Sequence, residues 1–444
     1  MNDQTTKKRA VSMRVPADAG FLPLATAFVE KAGRGLGLGQ GEALGLTLAT
    51  EELFSYLCGL ASPEQEVGIR CTSGGYYVRA DFDFPVEDFN MRAFNLTAQV
   101  SVEDEASLQE MGLLIAARSV DRFQVTEQPG HGVQLTLVKE KTYPGVEHEN
   151  RAPSVQPLDT FSVRAPDAEE LKLFVALVEQ LYPAHLMPRA FRYPGKVVDM
   201  VEGGEYRAAL AMGPGGETGG GILWHWIGQK TVECYGPYLF NQDPESDMGR
   251  ELLEACLASI ARTPVVGLIN RLPTDALPRE YFEPLGSVHV FRKGEHAPVL
   301  LEASFRQMQE DPGTSVWCHP ELEPFLKETY QRLVLPRNVR LVRDLGEAKS
   351  PHSVLSADVD RAQHVVTLRP IRTGTDIQEN LAGHIRLFAQ DDRTSLFFEM
   401  DAARAWHTDF TPALLANGFT PRLVLPYAGE GDLVIFQRAE GGAA

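Results

Sequence analysis

A polar, proline-containing segment from Tyr143 to Leu158 is the feature that most constrains how this chain can fold. The segment holds Pro144, Pro153 and Pro157, and proline interrupts both helices and sheet ladders. The chain has 444 residues, which is more than one hydrophobic core usually organises. We therefore predict a first domain over residues 1–143, a linker over 144–159, and two further domains over 160–294 and 295–444.

The composition excludes some classes of function. The net charge of −18 argues against nucleic-acid binding, because phosphate recognition needs a basic surface. No run of about 18 apolar residues is present to span a membrane, and no apolar stretch follows the basic N-terminal residues as in a signal peptide. The 5 cysteines are scattered without a CxxC pair, so we predict a cytoplasmic protein without a structural metal.

The first block is predicted to form a layer of helices on an antiparallel sheet. Apolar residues recur with helical spacing in some stretches and alternate in others. The predicted helices are Ala25–Ala32, Glu42–Leu60 and about Leu108–Val120, and the predicted strands are Val67–Cys71, Tyr76–Phe84, Phe123–Glu127 and Val133–Lys139. This arrangement belongs to the α+β class.

The second block is predicted to contain a crossover unit in a mixed sheet. Asp167 precedes the apolar-periodic stretch Leu171–Leu181, with Glu170 at the spacing of a capping box. Further along, strands are followed by a helix and another strand, which predicts a parallel pair joined by that helix. These elements are strands Tyr206–Met212, Gly221–Ile227 and Thr231–Phe240, a helix at about Met248–Ala261, and a strand Val265–Asn270.

The third block ends as the second does, with a helix, a glycine and then strands. Its predicted elements are a helix at Pro320–Leu333, strands at Val365–Pro370, His384–Phe388 and Ser395–Met400, a helix before Asn417-Gly418, and closing strands at Leu423–Pro426 and Leu433–Gln437. The shared ending suggests a degenerate tandem duplication. The whole chain is therefore predicted to be α+β, with two consecutive mixed-sheet domains after the first block.

Four positions in the first block form a motif. Glu51 and Ser55 lie four residues apart on one predicted helix, which places them on one face. Asp81 follows on a strand and Gly112 on the next helix. These stretches resemble the GHKL ATPase superfamily, which includes histidine kinases, and are closest to the anti-sigma-factor serine kinases. The resemblance implies an α/β sandwich that binds Mg-ATP. In it, Glu51 activates the nucleophile, Ser55 lies near Mg²⁺, Asp81 binds the adenine amine and Gly112 lies near phosphate.

Three substitutions distinguish this block from the family pattern. Ser55 stands where the family has Asn, Asp83 replaces a Gly, and Glu110 replaces the first Gly of the phosphate motif. Each added carboxylate would cost roughly a few kcal/mol close to phosphate. ATPase or kinase activity is therefore not expected. The alternative is that Glu51 is a solvated helix residue and Gly112 a packing glycine.

A second motif follows the strand Thr231–Phe240. Gly249 and Arg250 lie in the first turn of the next predicted helix, where free N–H groups can hold a phosphate. This strand and helix resemble the GNAT acyltransferase superfamily. The resemblance implies that acyl-CoA is held at Gly249 and Arg250 and that Glu233, on the strand, is a general base. The alternative for Glu233 is an exposed or paired strand carboxylate.

The GNAT-like motif also carries substitutions. Asp247 and Pro244 replace motif residues, and Asp247 is better explained as an ordinary helix cap than as part of a phosphate site. Phe282 stands where many family members carry a Tyr acid. The third block has the closing Gly418-Phe419 of such domains but no phosphate-binding glycines, so we predict that it is a pseudo-domain.

Two functions from different classes remain open. One is a bacterial-type regulatory fusion, which senses nucleotide or binds a regulatory protein and transfers an acyl group from acetyl-CoA or another acyl-CoA to an amine. The other is a pseudoenzyme scaffold that uses both folds for protein or small-ligand binding. Trp224-His225-Trp226 fits either a ligand pocket or a buried strand with His225 on the opposite face.

Overall fold

A computed structural model describes residues 9–62, 64–85, 91–97, 105–128, 132–146, 155–243, 246–291, 298–389 and 394–439. The chain forms two compact units. The first contains residues up to Tyr143 together with His352–Ser356, and the second contains Pro144–Pro351 and the chain from Ala357 onward.

The first unit is built on a five-stranded antiparallel sheet with the order β1-β2-β3-β5-β4. Its strands are β1 (Ala10–Pro16), β2 (Glu66–Ser73), β3 (Tyr77–Phe84), β4 (Arg122–Gln128) and β5 (Gly132–Glu140), and its helices are α1 (Leu22–Gly35), α2 (Gln40–Leu60) and α3 (Glu105–Ser119). The predicted helices and strands of this block are confirmed, and β1 is an additional edge strand. Alternation along β3 places Val78, Ala80 and Phe82 in the core.

The segment His352–Ser356 belongs to the first unit, where Asn95 binds its backbone. The buried Asn95 side chain donates from Nδ2 to the carbonyl oxygen of Ser353 over 2.9 Å. Its Oδ1 accepts the N–H of Leu355, also over 2.9 Å. Asn95 and Ser353 are 258 residues apart in sequence, so this unit is discontinuous along the chain.

The second unit begins with a seven-stranded mixed sheet in the order β11-β12-β10-β9-β8-β7-β6. Its elements are β6 (Ser162–Arg164), α4 (Ala168–Leu181), α5 (Pro194–Glu202), β7 (Tyr206–Met212), β8 (Thr218–Trp226), β9 (Thr231–Leu239), α6 (Asp247–Ile260), β10 (Gly267–Asn270), β11 (Glu283–Phe291) and β12 (Pro298–Gln307). The predicted crossover is confirmed, because β9 and β10 are parallel and α6 joins them. The Asp167–Glu170 capping box of α4 is also confirmed.

The sheet extends past the boundary predicted at residues 294/295, which falls inside the β11–β12 hairpin. Alternation is weak in β11 but regular over Leu301–Arg306 of β12, so only one strand of this hairpin has a clear strand pattern in the sequence. The glycine-rich stretch between the strands predicted at Tyr206–Met212 and Gly221–Ile227 is only partly a turn. Gly219–Gly221 lie within β8, where a side chain at Gly220 would collide with the carbonyl oxygen of Tyr238 at 2.5 Å.

A two-stranded sheet and a five-stranded sheet, whose order is β15-β16-β17-β19-β18, make up the rest of the second unit, except that residues Val354–Ser356 of β15 belong to the first unit. The elements are β13 (Thr314–Cys318), α7 (Glu323–Arg332), β14 (Arg337–Leu341), β15 (Val354–Asp360), β16 (Val365–Arg372), α8 (Ile377–Phe388), β17 (Ser395–Asp401), α9 (Thr411–Ala416), β18 (Phe419–Leu425) and β19 (Leu433–Arg438). The strand predicted at His384–Phe388 is wrong. Ile377, Leu381 and Ile385 recur at helical spacing and are buried, so this stretch ends α8.

The seven-stranded and five-stranded sheets share one connectivity. In each, two parallel strands are joined by a helix, β9–α6–β10 and β16–α8–β17. In each, a later hairpin then adds its second strand antiparallel to the crossover strand. The first strands of these hairpins even share an irregular register after a proline, Pro284 in β11 and Pro421 in β18. A tandem duplication predicts this correspondence.

Candidate functional site

The parallel strands β9 and β10 pair over only a short distance. The paired residues run from Thr231 with Gly267 to Glu233 with Ile269. Beyond Glu233, β9 continues to Leu239 whereas β10 ends at Asn270. Beyond Glu233, β9 is still paired with β8, but its edge towards β10 has no strand partner. The backbone groups on that edge need other partners, because buried N–H and C=O groups are costly to leave unsatisfied.

Three side chains supply those partners. Asn270 donates from Nδ2 to the carbonyl oxygen of Gly236 over 2.8 Å. Thr274 donates its hydroxyl to the carbonyl oxygen of Pro237 over 2.5 Å. The Tyr182 hydroxyl accepts the N–H of Leu239 at 2.8 Å and donates to its carbonyl oxygen at 3.0 Å. The diverging part of β9 is thus satisfied from within the protein.

A cleft of about 620 Å³ opens beside this part of β9, a size in the range of small-molecule sites. Its apolar lining residues are Leu181, Leu186, Leu239, Val299, Leu300 and Leu301, and its polar ones include His185, Gln242, Asp275, Arg279 and Glu302. Leu181 is 52% exposed and Leu300 49% exposed, although both are large apolar side chains. Exposed leucines that share one cleft favour a ligand-binding role for it.

Glu233 lies where β9 and β10 begin to diverge, and its side chain is fully buried. Arg271 holds it with two hydrogen bonds, from Nε to Oε1 at 2.6 Å and from Nη2 to Oε2 at 2.8 Å. The Tyr235 hydroxyl donates to Oε2 over 3.0 Å. Burial raises the pKa of Glu233, but the charge and hydrogen bonds of Arg271 outweigh it and hold that pKa well below its usual range. A carboxylate stabilised in this way is a weak proton acceptor.

His225 extends the same buried cluster. Its ring stacks on Tyr206, with centroids 4.5 Å apart and planes 7° apart. Its Nε2 lies 3.1 Å from the Tyr235 hydroxyl and 3.6 Å from Oε2 of Glu233. Trp224 pairs with Cys234 and is buried on the other face of β8. The interpretation of Trp224-His225-Trp226 as a buried strand with His225 on the opposite face therefore fits the geometry.

The predicted acyl-CoA residues lie in the first turn of α6. Gly249 is buried, and a side chain there would meet the carbonyl oxygen of Ala276 at 2.7 Å. Arg250 forms an ion pair with Asp247 across one turn. This contact with Ala276 is enough by itself to explain why residue 249 is a glycine. Pro244 lies outside the described residues, and Phe282 packs against the core beside α6.

The four residues of the predicted nucleotide site are not brought together. Glu51 and Ser55 share a face of α2, as predicted, but it is the solvent face. A side chain at Gly112 would meet the Glu52 carboxylate at 2.7 Å, so this glycine packs α3 against α2. Asp81 alternates along β3 with the core residues and therefore points to the other face of the sheet.

On that other face, Asp81 is engaged by neighbours in the sheet. It accepts a hydrogen bond from Nε of Arg79 at 2.9 Å and one from the Thr136 hydroxyl at 2.7 Å. Asp83 accepts one from Gln134 at 2.7 Å. The side chain of Glu110 lies outside the described residues. Helical spacing correctly predicted a shared face for Glu51 and Ser55 but could not tell which face is buried.

A second cleft, of about 770 Å³, lies between α7 and β14. Arg337 lies at its base with a fully buried side chain, 2.6 Å from Asp311 and 2.7 Å from Asp432. Its guanidinium also stacks 4.5 Å from the ring centre of Tyr427. Every nitrogen of this guanidinium has a partner in the protein, so Arg337 serves the packing of this region.

Among the described residues, no helix has the length and apolar character needed to cross a membrane. The same part of the chain holds no group of three or more His, Cys, Asp or Glu residues placed to bind a metal ion.

No protein-family model matches the chain, and no curated protein matches it. Solved structures of GNAT acetyltransferases match about a third of it. The phosphinothricin acetyltransferase of Sinorhizobium meliloti, solved in complex with AcCoA, is 17% identical, with 34% of this chain and 90% of that chain covered at a TM-score of 0.27. Aminoglycoside 6'-acetyltransferase type Ii is 14% identical, with 34% and 99% covered at a TM-score of 0.25. A GCN5-related N-acetyltransferase from Kribbella flavida is 12% identical, with 33% and 97% covered at a TM-score of 0.25.

Proposed function

We propose that the second unit is a binding module that takes a small ligand in the leucine-lined cleft and does not transfer acyl groups through a Glu233 base. The observation that carries this proposal is the double hydrogen bond from Arg271 to Glu233. A general base must be free to accept a proton near the working pH. Glu233 would first have to leave a buried partner of opposite charge.

The backbone of β9 supports the same proposal. A ligand that carries amide groups can bind a strand by adding hydrogen bonds along it. Here Tyr182, Asn270 and Thr274 already hold the groups that such a ligand would use. For each hydrogen bond that an amide ligand formed with β9, it would have to displace one that the protein already makes. The net free energy of binding from these bonds would therefore be small.

The lining of the cleft indicates the chemical class of the ligand. The leucines offer an apolar surface for a hydrocarbon or aromatic body. Hydrogen-bonding groups around it come from His185, Gln242 and Asp275, and Arg279 and Glu302 add an ion pair in which the two charges offset each other. Such a mixture suits a small amphipathic molecule rather than a fully charged one.

A second candidate is acyl-CoA-dependent N-acyl transfer, as the GNAT resemblance implies. The position of the cleft favours it, since ligands of α/β sheets commonly bind beyond the carboxyl ends of parallel strands. In that case, the start of α6, with Gly249 and Arg250, would hold the phosphates of the acyl-CoA. Nucleotide binding and a regulatory protein partner for the first unit stay predictions.

Thermal unfolding with acetyl-CoA, CoA, Mg-ATP, Mg-ADP and a panel of small amines and carboxylic acids tests these proposals together. A ligand at 100 times its Kd stabilises by about 2.7 kcal/mol, which shifts Tm by a few degrees. Release of free CoA thiol from acetyl-CoA in the presence of each amine is measured in parallel. We expect a shift with an amphipathic ligand and no thiol release above background.

The outcomes separate the candidates. Thiol release that persists in Glu233→Gln would indicate acyl transfer with another base, and release abolished by that substitution would overturn the proposed role of Glu233. A Tm shift with Mg-ATP would support the nucleotide prediction for the first unit. No shift with any probe at millimolar concentration would overturn ligand binding in the cleft.

A further inference from the structure

One wall of the leucine-lined cleft is formed by the connection between α4 and α5, residues 182–193. Tyr182, Pro183, His185 and Leu186 of this connection all line the cleft. The connection contains only short 3-10 turns, whose hydrogen bonds are local. Its position therefore depends on its own buried Met187 and Phe191 and on side chains that reach it from other elements.

On one side, the connection is held by β9. The Tyr238 hydroxyl donates to the carbonyl oxygen of Leu186 over 2.7 Å, in addition to the contact between Tyr182 and Leu239. These bonds come from within the seven-stranded sheet that carries the cleft.

A second set of hydrogen bonds comes from the turn between β15 and β16. This turn lies in the half of the second unit that contains the five-stranded sheet, which we call the duplicated half. Gln363 donates from Nε2 to the carbonyl oxygen of Ala184 at 2.6 Å and to that of Met187 at 3.2 Å. Ala184 lies between the lining residues Pro183 and His185. One amide group from the turn thus spans the part of the connection that faces the cleft.

The turn that presents Gln363 is itself well fixed. Oδ1 of Asp360 accepts the N–H groups of Ala362 and Gln363, each at 3.0 Å. The same oxygen lies 3.2 Å from Nη1 of Arg192, at the far end of the connection, and both side chains are largely buried. The carbonyl oxygen of Val359 accepts a hydrogen bond from Arg189 at 3.4 Å.

We infer that the duplicated half helps to position the wall of the cleft, with Gln363 as a positioning residue and Asp360 as its support. On this view the half predicted to be a pseudo-domain is retained because it completes the site of its neighbour. The inference rests on the proposed function only in treating the cleft as a ligand site. The claim that Gln363 holds residues 182–193 in place depends only on the hydrogen bonds of the turn.

Hydrogen exchange of the full chain without ligand tests whether Gln363 holds residues 182–193 in place. Gln363→Met keeps the side-chain length and removes both donated bonds. Peptides covering 182–193 should exchange at least about fivefold faster, because the loss of even one of the two hydrogen bonds makes local opening about fivefold more favourable. Gln309→Met is the matched control, because Gln309 donates a single bond to the carbonyl oxygen of Thr263 after α6. It should leave residues 182–193 unchanged.

A second variant and a second readout keep the outcomes distinct. Asp360→Asn keeps Oδ1 for the turn but removes the charge opposite Arg192, and it should speed exchange mainly at residues 189–193. Unchanged exchange of 182–193 in Gln363→Met would overturn the inference, whether or not the cleft binds a ligand. If acetyl-CoA or an amine shifts Tm in the wild type, Gln363→Met should weaken that ligand severalfold. Loss of binding with unchanged exchange would also count against a positioning role.

Discussion

Arg271 holds Glu233 with two parallel hydrogen bonds, of 2.6 and 2.8 Å, at the point where β9 and β10 diverge. The residues are 38 positions apart in sequence. The Glu233 carboxylate lies away from water, whereas the Arg271 side chain is 35% exposed, so the buried carboxylate depends on Arg271 for its stability.

Removing one partner of this pair should be more damaging than removing an exposed ion pair. Arg271→Met leaves the Glu233 carboxylate buried and uncompensated, and breaking a buried pair in this way costs about 3–5 kcal/mol. The free energy of unfolding from urea titration measures the loss. The control is Arg279→Met, whose partner Glu302 is exposed, and it should change stability little. A loss in Arg271→Met no larger than in the control would contradict the assignment.

Tyr182→Phe should destabilise the second unit although it removes only one oxygen. The N–H and carbonyl of Leu239 both lose their partner, and an unsatisfied buried polar group costs about 1–3 kcal/mol. Urea titration again measures the change in the free energy of unfolding. Tyr193→Phe, at an exposed tyrosine of the same connection, should leave stability unchanged. Equal effects of the two substitutions would argue that solvent already satisfies Leu239.

Gly249→Ala distinguishes a packing glycine from one kept for phosphate. The added methyl group would stand 2.7 Å from the carbonyl oxygen of Ala276, and overpacking of this kind typically costs about 1–3 kcal/mol. Gly59→Ala is the matched control, since Gly59 lies in α2 with no atom within 4 Å of a new side chain. Alanine favours helices over glycine, so the control should stabilise by up to about 1 kcal/mol. Thermal unfolding without ligand measures both variants, and we expect Gly249→Ala to lower Tm and Gly59→Ala to raise it.

His407 should make stability depend on pH in mildly acidic solution. Burial, with the nearby charge of Arg404 adding to it, lowers the pKa of His407 to about 3 in the folded chain. The unfolded chain therefore binds more protons below the unfolded pKa of about 6.5. The contribution of the neutral ring is fully present above that pH and is lost as pH falls from 6.5 towards 3, by about 1.4 kcal/mol per pH unit at most.

His407→Gln tests this dependence, because glutamine does not titrate. Nδ1 of His407 accepts the N–H of Asp401 at 2.9 Å, so the variant should be less stable than the wild type at pH 7. The difference between the two proteins should shrink as pH is lowered to 5. A constant difference across this range would show that the ring does not titrate as described.

Sequence patterns predicted local elements well and pairings between distant ones poorly. The capping box at Asp167 and Glu170 depends on residues three apart, and it is present as predicted. The crossover through α6 follows from element order alone. By contrast, β11 has weak alternation, and His384–Phe388 is too short to separate a strand from the end of a helix.

The site shows the same limit. The position of Glu233 on its strand was predicted, but its partner Arg271 was not, because nothing local links the two residues. Tyr182 and Leu239 are 57 positions apart, and only the folded arrangement brings them together. For Gly112 and Gly249, a motif could not separate a glycine that admits a ligand from one that admits a neighbouring side chain or backbone.

The hydrogen bonds from Asn95 to Ser353 and Leu355 have a consequence for synthesis on the ribosome. Domains generally fold in the order in which they leave the ribosome, at about 5–20 residues per second. The first unit departs from that order, since its last segment emerges after most of the second unit has been made. Until then the buried amide of Asn95 lacks its acceptor and donor. The N-terminal part of the chain should therefore reach full resistance to protease only late in translation.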